Sequence, residues 1–318
     1  MVTARPLRIA YFGTPDFAVP SLQRLLASRH SVVTLVSQPD RPKGRGHHLA
    51  PTPTKTVAMT AGVDVRQPDR IRDEAFLSGL SSLDLDLGVV AAYGKILPEA
   101  LLQIPRLGLI NVHASVLPRW RGAAPVHRAV IAGDTETGVT IMRIVQALDA
   151  GAMFLTRPRP LGPDETSPEV ERGLAEMGAE ALIEVVEQLA AGTAVETPQD
   201  ESLVTYAPKI TKTEGAIDWT LGAAVIHNLV RGLQPWPLVS GRLHGRRVLI
   251  HRTTVSGEQT SARAGVVARA HGDCLEIAGG DGRLVRILDI QPEGRRVMTA
   301  REFLSGHPVE AGARIEPA

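Results

Sequence analysis

The sequence is poor in cysteine, in aromatic residues and in long uncharged runs, and each shortage excludes a class of protein. One cysteine, Cys274, has no partner for a disulfide within the chain and cannot build a cysteine metal cluster. Aromatic residues make up only 3%, so aliphatic side chains have to fill the core. The longest uncharged runs, 107–118 and 219–230, are too short to span a membrane. The N-terminal residues lack the apolar stretch of a signal peptide, so we expect a cytoplasmic protein.

The length indicates more than one domain, and the charge is unevenly distributed along the chain. A chain of 318 residues exceeds the size of one typical core, which predicts two domains. The net charge is only +1, but from Lys209 onward 15 Lys and Arg oppose 11 Asp and Glu. This excess of four positive charges fits a polyanionic partner, although a solvated basic face is the more common cause of such an excess.

Strand-like runs alternate with helix-like segments through residue 150, which predicts a doubly wound, mostly parallel α/β sheet of Rossmann type. The turn Gly13–Asp16 after the first strand holds a single glycine, so a dinucleotide-binding fingerprint is absent. Thr166 and Glu169 form a capping-box pattern for a long helix to Ala191. The predicted strands are residues 7–12, 31–37, 63–66, 85–92, 109–112, 138–144 and 153–156.

The pattern changes after a polar, proline-marked segment, residues 192–208, which we interpret as a linker between residues 1–191 and 209–318. Short strands separated by glycine turns then predict a small barrel of the OB type. The predicted elements are a helix over 221–233, strands over 247–254, 265–270, 274–278 and 284–290, and a helix over 299–306.

Polar side chains cluster where the strand at 109–112 ends. Asn111, His113 and Ser115 follow one another at alternate positions, and the isolated carboxylate Asp149 follows the next strand. Taken singly, Asn111 could cap a turn and His113 could be a satisfied core residue. Together they lie where open α/β sheets place their sites.

The chemistry of this set favours acyl transfer. One histidine, one aspartate and a neutral amide are poor ligands for zinc, so no metal is expected. Ser115 lacks the glycine-flanked elbow of a serine nucleophile. An amide and an imidazole can stabilise an oxyanion, while a carboxylate orients the imidazole and helps to move a proton.

Two further segments have a composition typical of ligand contact. Residues 38–53 are rich in proline, glycine and cations, and we expect neither helix nor strand there. Arg41, Lys43 and Arg45 within it could form a mobile arm for a phosphate backbone, or the loop could simply be solvated. Gly94, just past the strand at 85–92, lets the backbone approach a ligand closely.

The motifs at these sites, together with others spread over nearly the whole chain, resemble those of the methionyl-tRNA formyltransferase family. Residues 110–125 alone resemble any formyl-folate transferase. The basic loop at 38–53 and the C-terminal part narrow the resemblance to the family that acts on tRNA. The matching motifs are residues 12–17, 38–42, 44–46, 92–98, 110–125, 138–141, 148–151, 234–237, 291–294 and 303–306.

The resemblance implies 10-formyltetrahydrofolate as the cosubstrate and the amine of initiator methionyl-tRNA as the acceptor. It implies that Asn111 and His113 hold the formyl oxygen and that Asp149 pairs with His113 and assists proton removal. It assigns catalysis to 1–191 and tRNA binding to 209–318, and a monomer is expected. The residues implied to bind folate are Tyr93, Leu97, Ser115, Val116, Leu117 and Pro118, and those implied to bind tRNA are Arg41, Lys43 and Arg45.

The sequence departs from the family pattern in two places. Val116 replaces a leucine and keeps an apolar wall. In Ile144–Ala152, two aspartates, a glycine and a threonine of the family pattern are replaced, which puts the conformation of the folate-side loop in question. The replacing residues are Val145, Ala147, Ala150 and Ala152.

Two alternatives stay open at this point. A formyltransferase acting on a small amine, such as an amino-sugar nucleotide or glycinamide ribonucleotide, would keep Asn111, His113 and Asp149 without needing the basic loop. An RNA-binding protein built on a decayed enzyme core would use the barrel as its binding module, although it would have no need for the three polar residues.

Overall fold

Two sheets, each with its own hydrophobic core, organise the chain into two units. The computed structural model describes residues 5–43 and 48–317, without the side chains of Lys43 and His48. The first unit takes in residues up to 122, 137–159 and 171–206. The second consists of 123–136, 160–170 and the residues from 207 onward.

Strands and helices alternate along the first part of the chain, as the hydrophobic pattern predicts. Up to residue 191 the elements are β1 (Arg8–Gly13), α1 (Val19–Leu26), β2 (Ser31–Val36), β3 (Arg41–Lys43), β4 (His48–Ala50), α2 (Pro53–Thr60), β5 (Asp64–Arg66), α3 (Glu74–Ser81), β6 (Leu87–Ala91), α4 (Glu99–Leu102), β7 (Leu109–His113), β8 (Arg121–Gly122), α5 (Pro125–Ala132), β9 (Glu136–Arg143), β10 (Met153–Pro160) and α6 (Ser167–Ala191).

The main sheet of the first unit has the order β10-β9-β7-β6-β1-β2-β5. The five strands β5, β2, β1, β6 and β7 run parallel, and the chain reverses its direction of winding between β1 and β6. Gly13 and Ala91, at the ends of these two strands, lie side by side. A crevice at such a reversal is where doubly wound sheets bind ligands. The predicted fold class is confirmed.

The strand before Asp149 runs in the opposite direction to the one that the sequence pattern suggested. We placed Asp149 at the end of a neighbouring parallel strand, but β9 pairs antiparallel with β7, so that His113 lies beside Thr140 and Ile110 beside Arg143. The end of β9 is therefore remote from His113 along the ladder. The loop from 144 to 152 brings Asp149 back to His113. The direction of β9 was mispredicted because hydrophobic alternation reports which face a residue occupies and not the direction of its strand.

Residues 38–53 contain short strands, contrary to our expectation. Strands β3 and β4 form an antiparallel pair in which Arg41 faces Ala50 and Pro42 faces Leu49. A two-stranded ribbon consists of edges only, and proline, which lacks an N–H, is tolerated on edges. Residues 44–47, including Arg45, lie outside the described part of the chain.

The second unit is built on a curled antiparallel sheet. Its order is β14-β15-β16-β13-β12-β18, and a bridge between Val266 and Arg314 brings the two outer ends of the sheet together. A further strand, β17, pairs with β16, so the predicted barrel is present as a half-barrel with three strands, β12, β17 and β18, that the pattern did not reveal. The elements from residue 206 onward are β11 (Tyr206–Ala207), α7 (Ala223–Gly232), β12 (Val239–Leu243), β13 (Arg246–Gln259), β14 (Val267–His271), β15 (Cys274–Ala278), β16 (Arg283–Pro292), β17 (Met298–Thr299), α8 (Ala300–Gly306) and β18 (Ile315–Pro317).

The cores are largely aliphatic, as the scarcity of aromatic residues requires. Ile9, Leu22 and Leu35 are among the fully buried side chains of the first unit, and Ile250, Ile277 and Ile287 among those of the second. Within the described residues, no helix combines the length and the apolar character needed to cross a membrane.

Candidate active site

Strand β7 presents Asn111 and His113 on one face of the sheet. The two residues are two positions apart, and side chains at that spacing on a strand point to the same side. Asn111 lies between Val90 of β6 and Met142 of β9. Among the residues that the structure describes, none forms a hydrogen bond with the Asn111 side chain. Its amide donors are therefore available to a ligand.

His113 and Asp149 face each other in the structure. The Nδ1 atom of His113 lies 3.8 Å from Oδ2 of Asp149, and the histidine side chain is 5% exposed. That separation is too long for a hydrogen bond. The Nε2–H of His113 donates to the carbonyl oxygen of Trp120 at 3.0 Å. Nδ1 is thus the ring atom that remains open to a substrate atom.

The carboxylate of Asp149 is held by the backbone of the loop that follows β7. The N–H of Gly122 donates to Oδ2 of Asp149 at 2.9 Å. The same oxygen faces His113, so this contact fixes the carboxylate opposite the imidazole. Gly151 permits the sharp return of the loop, because a Cβ there would lie 1.9 Å from the carbonyl oxygen of Arg143.

Three residues around the site have left-handed backbone conformations although none is glycine. The φ angles are 46° at Ala92, 65° at Trp120 and 47° at Asp149. This conformation costs an L-residue about 1–2 kcal/mol, so the surrounding contacts have to impose it. Such backbone strain is concentrated at functional sites in proteins. These three positions support a site at this edge of the sheet.

The hydroxyl of Ser115 shapes its own loop. It donates to the carbonyl oxygen of Arg119 at 2.6 Å, and Ser115 is buried. Thr140 of β9 donates to the carbonyl oxygen of Ser115 at 2.8 Å and accepts from the N–H of Leu117 at 3.2 Å. These bonds fix the backbone from Ser115 to Leu117, while Val116 and Pro118 are half-buried. The role of these residues in folate binding stays a prediction.

The turn after β6 offers a ligand its backbone more than its buried side chains. Tyr93 packs edge-on against Phe12 in the core, burial raises its pKa to about 12, and Leu97 is buried in the same cluster. Gln38 donates to the carbonyl oxygen of Tyr93 at 3.1 Å. Gly94 has a φ of 83°, which opens the turn. Folate contact by Tyr93 and Leu97 stays a prediction.

The basic hairpin is anchored at its base. Lys55 donates to Oδ2 of Asp40 at 2.5 Å, and the Gln67 amide donates to Oδ1 of Asp40 at 2.7 Å. The hydrogen bonds from Gln67 and Lys55 hold the pKa of Asp40 below its usual value. Arg41 is exposed at the start of β3. Of the residues predicted to bind tRNA, only the Arg41 side chain lies within the described part.

Two residues near Asp149 escaped the sequence reading. Gln199, within the segment that we interpreted as a linker, donates to the carbonyl oxygens of Asp149 and Gly151, each at 2.8 Å. Arg121, the first residue of β8, donates to the oxygen of the Gln199 side chain. Nothing in the local pattern around Gln199 indicates burial, because its partners are about 50 and 80 residues away in sequence.

Comparisons with known proteins agree with the fold and show the family. The model of the formyl transferase family matches residues 7–186, and the model of the formyl transferase C-terminal domain matches residues 209–308. The chain is 44% identical to the methionyl-tRNA formyltransferase of Moorella thermoacetica over 306 residues, which are 96% of this chain and 98% of that protein.

Solved structures show the same fold at much lower identity. An N-formyltransferase from Helicobacter canadensis, in complex with folinic acid and dTDP-3-aminofucose, matches with a TM-score of 0.69 at 16% identity and covers 90% of this chain and 99% of its own. HypX from Aquifex aeolicus, in complex with tetrahydrofolic acid, matches with a TM-score of 0.63 at 18% identity and covers 94% of this chain and 47% of its own. By the identity and coverage of its curated relative and by both domain models, the chain belongs to the methionyl-tRNA formyltransferase family.

Proposed function

We propose that this chain transfers the formyl group of 10-formyltetrahydrofolate to the amino group of methionyl initiator tRNA and that Asn111, His113 and Asp149 carry the reaction. The observation that carries the proposal is the His113–Asp149 pair beside an Asn111 amide without a partner among the described residues. The two proposed substrates are inferred from the family to which the chain belongs. The geometry supports the assignment of each residue to a step.

Asn111 and His113 are placed to stabilise negative charge on the formyl oxygen. The Asn111 amide donates one hydrogen bond. A His113 ring with hydrogens on both nitrogens donates through Nε2 to Trp120 and through Nδ1 to the formyl oxygen, since no atom of the described residues lies within hydrogen-bonding distance of Nδ1. Preorganised donors of this kind lower the barrier of acyl transfer by about 3–4 kcal/mol each.

Asp149 balances the charge of His113 and moves the proton. Its carboxylate, held by Gly122, accepts the proton that the attacking amine loses as the new C–N bond forms. When bound, 10-formyltetrahydrofolate supplies the carbon that is attacked and, as the C–N10 bond breaks, takes up a proton at N10. Asp149 returns the proton it holds, so that it ends the cycle ionised, as it began.

The folate fits the edge of the sheet between the turn after β6 and the loop after β7. The turn exposes backbone at Gly94, and Ile96 beside it is 80% exposed. Val116 and Pro118 offer a half-buried apolar wall on the other side. An apolar wall with a few convergent polar groups is typical of cofactor sites.

The division of labour along the chain completes the proposal. Along the sequence we assign catalysis to residues 1–191, the linker to 192–208 and tRNA binding to 209–318, and the ranges of the two family models support this division. The compact units differ from it, because 123–136 and 160–170 belong to the second unit and 192–206 to the first. Arg41, Lys43 and Arg45 bind the phosphate backbone near the acceptor end. The enzyme acts as a monomer in the cytoplasm, and light scattering after size-exclusion chromatography would test the monomer.

Transfer of radiolabelled formyl from 10-formyltetrahydrofolate tests the function directly. Charged initiator tRNA is offered beside a charged elongator tRNA and a small amine such as glycinamide ribonucleotide. We expect label in the initiator tRNA alone. Label in the small amine alone would move the assignment to a small-amine formyltransferase, and folate binding without any transfer would contradict the acceptor.

A further inference from the structure

A buried polar network outside the three proposed catalytic residues ends on Asp149. Arg121 is 3% exposed and Gln199 is 9% exposed, so both side chains are withdrawn from water. Burying a guanidinium and an amide is costly unless their donors and acceptors are satisfied. Here nearly every one of them is used: Arg121 donates to Gln199 and Glu201, and both amide hydrogens of Gln199 reach the loop that carries Asp149.

The orientation of the Gln199 amide is fixed by its neighbours. A guanidinium can only donate, so the side-chain oxygen of Gln199 has to face Arg121. It accepts from Nε of Arg121 at 3.0 Å and from Nη2 at 2.9 Å. The amide nitrogen then points both of its hydrogens at the carbonyl oxygens of Asp149 and Gly151.

The network closes on itself around the carboxylate. Gln199 holds the backbone of Asp149, and Arg121 holds Gln199. Gly122, the residue after Arg121, donates its N–H to the Asp149 carboxylate at 2.9 Å. The carboxylate of Asp149 is thus held directly by Gly122, and its carbonyl oxygen is held by Gln199, which Arg121 fixes in turn. The left-handed φ of 47° at Asp149 needs support of this kind.

We propose that Gln199, held by Arg121, is a positioning residue that sets the Asp149 carboxylate opposite His113. The inference rests on the proposed role of Asp149 in formyl transfer. Gln199 touches neither substrate nor cosubstrate in this scheme and acts only through the loop. A displacement of about 1 Å at a catalytic group can lower a rate by about 100-fold, so positioning of this kind governs turnover.

The substitution Gln199→Glu tests the inference with little change in volume. A glutamate keeps the contact with Arg121 but loses both amide hydrogens and brings a negative charge toward the two carbonyl oxygens. We expect kcat to fall by about 10- to 100-fold, with KM for the folate and for the tRNA within about twofold of wild type. Gln23→Glu, at an exposed position of α1 away from the proposed site and outside the proposed tRNA-binding domain, is the matched control and should leave kcat unchanged.

A double mutant separates positioning from a general structural role. If Gln199 acts through Asp149, Gln199→Glu should lower kcat in the wild-type background and add no further loss to Asp149→Asn. A full additional loss in the double mutant, or a normal kcat of a folded Gln199→Glu enzyme, would overturn the inference. A normal rate of Asp149→Asn alone would instead refute the proposed role of Asp149, so the two failures are distinct.

A second variant keeps the test decisive if Gln199→Glu does not fold. Arg121→Lys retains a charge toward Glu201, which pairs with Arg121 at 2.7 Å, but cannot reproduce the two bonds to the Gln199 oxygen. We expect a smaller fall in kcat with unchanged KM values, again absent in the Asp149→Asn background. An Arg121→Lys enzyme with wild-type kcat would contradict the inference by itself.

Discussion

Arg121 of the first unit and Arg231 of the second are buried to a similar degree, but their partners differ. Arg121 donates to the Gln199 oxygen and pairs with the carboxylate of Glu201. Its charge is therefore compensated. Through Gln199 it is also connected to Asp149, so the network around Arg121 reaches the proposed catalytic carboxylate.

Arg231 is held by neutral oxygens. Its Nε donates to the Asn228 side chain at 2.8 Å, and its Nη1 donates to the carbonyl oxygens of Gly162 and Glu165 at 3.2 and 3.0 Å. Burial lowers the pKa of the guanidinium, against the attraction of Asp164 and Glu165. The side chain also lines a cavity of about 220 Å³.

The contrast shows what each buried arginine contributes. Hydrogen bonds from Arg231 tie α7 to the segment just before α6, whereas those from Arg121 end at a loop that carries proposed catalytic chemistry. Although the two arginines are similarly buried, their different partners predict different consequences of mutation. Changes in the Arg121 network should alter the rate, and changes in the Arg231 network should alter the free energy of unfolding.

The largest effect is expected at the end of the Arg121 network, from Asp149→Asn. The substitution keeps the size and an oxygen that can accept from Gly122, but it removes the proton acceptor. We expect kcat to fall by about 10²- to 10⁴-fold, the range of general acid–base contributions. Single-turnover formyl transfer measures the change, and binding of tRNA and folate should stay nearly intact. A rate within threefold of wild type would remove Asp149 from the mechanism.

A pair of asparagines offers a direct test of the contrast. Asn111→Ala removes an amide with no partner in the described structure, so we expect a loss of about 10²- to 10³-fold in kcat with little change in stability. Asn228→Ala removes the acceptor of Arg231 and should cost about 1 kcal/mol of stability while leaving kcat unchanged. Kinetics and urea unfolding of both variants check this exchange of effects. Equal kinetic losses would end the distinction between the two networks.

Arg231→Met should act on stability alone. It leaves the carbonyl oxygen of Glu165 and the Asn228 oxygen without the Arg231 donor, while the carbonyl oxygen of Gly162 keeps the N–H of Glu165. We expect a loss of about 2–4 kcal/mol in the free energy of unfolding. Urea unfolding measures the loss, while kcat of the folded enzyme should stay within about twofold. A folded variant of normal stability with a clearly reduced kcat would show that this network, too, reaches the chemistry.

The sequence led us to predict Asn111, His113 and Asp149 as the central residues of a site, because their types and spacing carry chemical meaning. Asn111 and His113 alternate at the end of an apolar strand, and Asp149 is an isolated carboxylate in a matching motif. Their facing arrangement, with His113 and Asp149 opposed, was then found in the structure. What each contributes to the reaction stays a prediction.

The supporting residues could not be predicted in the same way. Gln199 stands in a polar stretch that reads as a linker, and it becomes buried only because distant residues supply its partners. The direction of β9 was also missed, since alternation of apolar residues is the same for parallel and antiparallel neighbours. The β3–β4 ribbon has too few residues for any pattern. These features depend on tertiary pairing that a local window does not contain.

The smallest effect on stability is expected at a third polar cluster, formed by Asp40, Lys55 and Gln67 at the base of the basic hairpin. This cluster is partly exposed and has fewer members than the Arg121 network. Lys55→Met removes one of the three donors, beside the Gln67 amide and the Thr52 backbone, that hold the pKa of Asp40 below its usual value of 3.8. A carboxyl group whose pKa is lowered by folding stabilises the folded state at pH values above its pKa in the unfolded state, so the variant should lose about 0.5–1 kcal/mol of stability at pH 7. Lys212→Met, at an exposed position, is the control and should have no effect. The difference from wild type should shrink as pH falls below 3.8 and Asp40 is protonated in the fold. Urea unfolding from pH 7 to 3 measures it, and a difference that stays constant over this range would mean that the stabilisation by Lys55 does not act through the Asp40 carboxylate.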